Sequence, residues 1–170
     1  MRLNTFRNMF VDQLRDIYDA EKQITEALPK MAKAAHSDEL KAAFEQHLRQ
    51  TEGHIERLDK IFDGLGEKPT GVKCEAMEGL IEEGEEIVEK RGESYVKDAA
   101  LIAAAQRVEH YEISAYGTAR TYATMVGMTD TAALLKKTLD EESKTDEKLT
   151  DLAEGGLLSS GINEKAMQRS

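Results

Sequence analysis

Apolar residues recur along this chain at steps of three and four, and four long stretches keep them on one face. In the first, over about residues 5–35, the aligned positions are Phe10, Leu14, Ile17, Ile24, Leu28 and Met31. That spacing predicts a helix with one buried stripe. Pro29 lies inside it and should bend it, because proline removes a backbone donor. Ser37 or Asp38 is placed to cap a second helix. Its stripe is Leu40, Phe44, His47, Thr51, His54, Leu58 and Ile61, with a stop near Gly64 and Gly66. The short break between the two predicts an antiparallel hairpin.

A loop over residues 66–71 precedes a shorter, very acidic helix over about 74–90, with Met77, Leu80, Ile81, Ile87 and Val88 on one side. The third long helix spans about 95–126, with Ile102, Ala105, Tyr116 and Ala123 inward, and Gly127 reads as its stop. The fourth starts at Thr129 or Asp130, carries Leu135, Leu139, Leu149 and Ala153, and ends at Gly155-Gly156. Two hairpins joined by one long crossover predict an all-α fold, a ferritin-like four-helix bundle with an additional short crossover helix. Residues 1–170 form one domain on this reading, a core of about 5–156 and a polar, loosely held tail over 157–170.

Six polar residues interrupt the stripes: Glu21, His54, Glu109, Glu112, Glu142 and Asp146. Equal counts from a hairpin turn mean equal height, at about 1.5 Å of rise per residue. Glu21 lies 16 residues before the first turn, near residue 37; 16 after it is Gly53, between Gln50 and His54. Glu112 lies 16 or 17 before the second turn, and the same count beyond it falls between Glu142 and Asp146. All four long helices thus bring polar groups to one layer. Buried charges are normally paired or metal-bound, and five carboxylates with one imidazole cannot neutralise one another. Two divalent cations could.

Glu109 and Glu112, three apart, share one face of their helix. Carboxylate-bridged di-metal sites in bundles usually pair a glutamate with a histidine three residues later. Here Thr51 stands three before His54, and Gln50 is a neutral amide. His54 alone could equally be a hydrogen-bonded core histidine. His47 sits two turns from it, nearer the hairpin, and is read as supporting the layer rather than ligating. Gln50, Thr51, Tyr18, Tyr116 and Thr145 complete the expected surroundings. Glu52, Glu56 and Asp59 face away, and the run Glu82-Glu83-Gly84-Glu85-Glu86 reads as solvated charge. An oxygen-rich ligand set suits iron or manganese and does not separate them.

The formal net charge of −10 argues against nucleic acid, whose phosphates call for a basic face, and against anionic membrane surfaces. Cys74 is the only cysteine, so a reducing compartment is expected and the thiol reads as a small buried group. Residues 1–5 lead straight into an amphipathic pattern without a signal-peptide core, and no apolar run approaches the roughly 18 residues of a membrane span. A cytoplasmic location is the expectation.

Particular stretches carry a resemblance. They are Ala20-Glu21-Lys22-Gln23, the run from Lys73-Cys74-Glu75-Ala76-Met77 to Glu83, Asp98-Ala99-Ala100-Leu101-Ile102, Val108-Glu109-His110-Tyr111-Glu112-Ile113 and Lys148-Leu149-Thr150-Asp151-Leu152-Ala153. In these the chain resembles the YciE/YciF family of bacterial ferritin-like stress proteins, over nearly its whole length. The resemblance implies a homodimer and a ferroxidase-type di-iron centre acting on dioxygen or peroxide. A more distant likeness to the rubrerythrin group matches Glu109 and Glu112. Its fourth-helix histidine would fall at Thr145, with Asp146 as the substitute.

Overall fold

The computed structural model describes residues 5–156 and 159–168. The Thr5 hydroxyl accepts the Asn8 amide at 3.1 Å and opens α1, Phe6–Ala34, which continues through Pro29. The Ser37 hydroxyl does the same for Leu40 and opens α2, Asp38–Leu65. Helix α2 closes at Gly66, whose φ is 67°: the Glu67 N–H reaches the Phe62 carbonyl and the Gly66 N–H that of Asp63. This paired closure needs a left-handed residue, which glycine supplies without strain. The Cys74 sulfur accepts the Met77 amide at the start of α3, Glu75–Glu89. Helix α4, Ser94–Met125, closes at Gly127 with the same two bonds, and α5 follows over Thr129–Glu154. A two-residue ladder, β1 (Gly155–Gly156) with β2 (Ser159–Ser160), leads into α6, Ile162–Met167.

Helix α1 packs on α2 and α4, and α5 packs on α4 and α2, so the four long helices close a ring. Arg7 donates to the Leu65 carbonyl at 3.1 Å, so the start of α1 lies beside the end of α2. The crossover helix α3 lies outside the ring against α1 and α4. The core falls into two apolar clusters. One, around Ile24, Leu28, Phe44, Leu101 and Ile102, sits toward the α1–α2 turn; the other, around Phe10, Leu14, Leu58, Phe62 and Leu135, sits toward the opposite end. Between them lies the polar layer.

Sequence pattern did not single out Asp98. Its buried carboxylate accepts the His36 and Ser37 amides at 2.8 and 2.7 Å and ties the α1–α2 turn to α4. It is satisfied, and therefore structural. The expected loose tail is also corrected, although residues 157, 158, 169 and 170 lie outside the described residues, as do residues 1–4. Ile162 and Ala166, four apart, give α6 an apolar face that is buried against α4 and α5. Among the described residues, no helix is long and apolar enough to cross a membrane.

Candidate metal centre

The layer is built by four helices: Glu21 from α1, His47 and His54 from α2, Glu109 and Glu112 from α4, and Glu142 from α5. All six side chains are at most 3% exposed. They form two groups, Glu21–His54–Glu112–Glu142 and His47–Glu109–Glu112–Glu142. Within each group one ligand-type atom from every residue lies within 4.8 Å of the others. Glu112 and Glu142 belong to both. His54 Nδ1 stands 2.7 Å from Glu142 Oε1 and 3.3 Å from Glu21 Oε1, while His47 Nε2 stands 3.3 Å from Glu109 Oε1. Among the described residues, eight buried side-chain atoms lack an aligned hydrogen-bond partner, and all eight belong to these six residues. Unmet buried polar atoms are costly. Their concentration in one place marks a site shaped for something other than mutual hydrogen bonding.

The electrostatics agree. Burial, reinforced by the negative charge of Glu142, pushes Glu109 and Glu112 well above the usual carboxylate range. Burial also raises Glu21, though neighbouring His54 opposes it. Burial would raise Glu142 too, but the His54 imidazole outweighs it and holds the carboxyl low. For His54, burial disfavours the charged ring, and the bonds to Glu142 and Glu21 overcome it, giving about 10. Burial keeps His47 neutral by lowering its value, the form a metal ligand requires. Without a cation the layer therefore retains protons, which a cation would displace.

A clamp beside the layer was not legible in the sequence. Glu141 Oε2 lies 3.0 Å from His54 Nε2, and Arg57 donates to both Glu141 oxygens at 2.9 and 2.7 Å. Arg57 also donates to the Thr138 hydroxyl at 2.8 Å. A carboxylate on one imidazole nitrogen fixes the ring so that the other, here Nδ1, would offer its lone pair to a cation that displaces its proton. Glu141→Gln is expected to weaken metal affinity by roughly 10–100-fold, the usual effect of losing such a partner. Competition with a chromophoric chelator would measure it; affinity equal to wild type would show that the clamp does not orient a ligand.

Two residues stand differently from expectation. His47 joins the layer, because seven residues on a helix return to nearly the same face; the site extends over two turns of α2. Asp146 does not join either group. Its carboxylate accepts from Gln106 at 3.1 Å and lies 3.5 Å from His110, partly open to solvent. Among the expected surroundings, the Tyr116 hydroxyl donates to Glu21, whereas Tyr18 turns toward Asp59 and Phe62. The Thr51 and Thr145 hydroxyls donate to the backbone carbonyls of His47 and Glu141. Gln50 lines an opening between α2 and α5. Glu52, Glu56 and Asp59 are exposed, and Glu83, Glu85 and Glu86 make surface ion pairs.

Residues 5–167 match the family described as a domain of unknown function, DUF892. Protein YciF of Escherichia coli K12 is 51% identical over 154 residues, which cover 90% of this chain and 93% of that one. The crystal structure of that stress protein superposes with a TM-score of 0.86 at 50% identity, covering 88% of this chain and 95% of the other. YcfI of Rhodopseudomonas palustris, provisionally described as a structural protein, gives 0.86 at 44% identity, covering 89% and 96%. A Xanthomonas campestris protein shares the fold at 20% identity, with a TM-score of 0.69 and coverage of 86% and 89%. With the match running from α1 through α6, the chain belongs to the DUF892 family, alongside the YciF stress protein.

Proposed function

We propose that this is a ferritin-like di-metal carboxylate protein, holding two iron ions in the layer and limiting oxidative damage. The observation that carries the reading is the pair of four-residue groups sharing Glu112 and Glu142, with every orphaned atom among the described residues inside them. Four carboxylates balance two divalent cations when both imidazoles are neutral. Glu21 and His54 would hold one ion, His47 and Glu109 the other, with Glu112 and Glu142 between them. Manganese would suit the same donors. Ferrous iron held there would supply two electrons, which with two protons reduce dioxygen to hydrogen peroxide or peroxide to water. The chain's own part is to bind and space the ions and to flank them with two apolar clusters. Tyr116 keeps Glu21 oriented by donating to it.

A second reading, metal binding without turnover, draws on Thr51, whose hydroxyl is committed to its own helix where relatives of this architecture place a glutamate. Stopped-flow absorbance of aerobic Fe(II) distinguishes the two. Oxidation should exceed that in matched buffer, and Glu52→Ala, on the exposed face of α2, should leave the excess unchanged. Bound iron with no excess rate would favour the second reading.

A further inference from the structure

Among the described residues, two cavities are lined by residues of the layer, and both meet it at the same end. One, of about 170 Å³, opens between α2 and α5 past Gln46, Gln50, Lys144, Thr145 and Lys148 to His47 and Glu109. The other, of about 30 Å³, lies under the crossover helix. Its walls come from Ile24 and Ala27 of α1, Leu80 and Gly84 of α3, and Ala104 and Val108 of α4. His47 and Glu109 stand among its lining residues too, and they carry three of the orphaned atoms, His47 Nδ1 and Nε2 and Glu109 Oε2. Neither cavity is lined by Glu21 or His54, and the Arg57–Glu141 clamp stands against His54.

The two routes suit different molecules. The opening between α2 and α5 sets amides, a hydroxyl and ammonium groups beside Ala43, Phe44 and Leu149, so a polar species finds partners there. The cavity under α3 offers aliphatic carbon, apart from the Lys30–Glu85 ion pair and the His47–Glu109 pair. Peroxide would leave its hydroxyls unmatched along that wall, which opposes entry. A volume of this order holds one water-sized molecule, so a small diatomic fits and an organic substrate does not. Gly84 keeps the space narrow but open: a Cβ there would sit 4.0 Å from the Ala104 Cβ.

We propose that the aliphatic cavity under α3 is a binding and entry site for dioxygen, delivering it to the His47–Glu109 end of the layer. The assignment rests on the di-metal reading for its purpose but not for its test. Crystals of the metal-free protein pressurised with xenon should show a xenon peak between Ala27, Gly84 and Ala104. Ala104→Leu and Ala27→Leu, which fill the space from different helices, should each abolish the peak. In iron-loaded protein at low dioxygen, the same substitutions should slow oxidation by dioxygen about tenfold, as a restriction on access rather than on chemistry. Oxidation by peroxide and the iron content should be unchanged. A wild-type cavity that takes no xenon overturns the proposal, as does a filled cavity that leaves the dioxygen rate intact. Protein that takes xenon but binds no metal would instead overturn the di-metal reading alone.

Discussion

Glu112→Ala is expected to lose the tight binding of at least one ion, with affinity falling beyond the roughly 10–100-fold cost of an outer partner. Glu112 is shared by both groups, so its removal takes an anionic donor from each position and the spacer between them. Elemental analysis after desalting would measure the loss, with circular dichroism reporting that the helices persist. The opposite sign is expected for metal-free stability. Glu112 is buried beside Glu142 and Glu21, and its Oε2 has no aligned partner. Glu112→Gln keeps the volume and removes a group whose ionised form the layer disfavours, so the metal-free protein should melt no lower than wild type. A substitution that hurts binding while sparing the fold is the signature of a site maintained for its ligand. Unchanged metal content in Glu112→Ala would remove that residue from the centre.

Metal-free stability and the stabilisation that metal adds should respond to pH in opposite directions. Glu21, Glu109, Glu112 and His54 all have folded values raised above their ordinary ones. A raised group binds more protons folded than unfolded, so its stabilisation is complete at low pH and drains away as pH rises through the folded value. Glu142 and His47 are lowered and act with the opposite sign, but only near and below their ordinary values of 4.5 and 6.5. Above that, up to the His54 value of about 10, only raised groups remain. Metal-free protein should therefore lose stability across that window. Cations compete with those same protons, so loading should release protons near neutrality and stabilise more strongly as pH rises. At free metal a thousandfold above the dissociation constant the gain is about 4 kcal/mol, roughly 10 °C in melting temperature for a chain of this size. Calorimetry in buffers of different ionisation enthalpy would count the protons; melting curves at two pH values would give the signs. A metal-induced shift that shrank with rising pH would contradict the proton competition.

Helix spans were legible because long amphipathic stretches carry strong periodicity and caps. The third long helix, expected over about 95–126, is Ser94–Met125, and the crossover, expected over about 74–90, is Glu75–Glu89. Five of the six layer residues were legible for a related reason: a carboxylate on an apolar stripe conflicts with its neighbours. The sixth was not. Counting heights from the turns compresses a site to one level, whereas two histidines seven apart on α2 give it length, so His47 falls inside the clustered groups and Asp146 outside them. Arg57 and Glu141 were invisible because a charged pair next to a stripe looks like ordinary helix surface until the partner helix is placed. Asp98 was hidden similarly, as one acid among the charges of α4, until the α1–α2 turn supplied its two amides. Helix α6 is only six residues long, too short for periodicity to register.

Anomalous scattering from crystals of the iron-loaded protein tests the two-ion layer most directly. The expected map has two peaks inside the helical ring, one nearest Glu21 and His54, the other nearest His47 and Glu109, with Glu112 and Glu142 between them. A layer without anomalous density after loading with iron, and again with manganese, would contradict it.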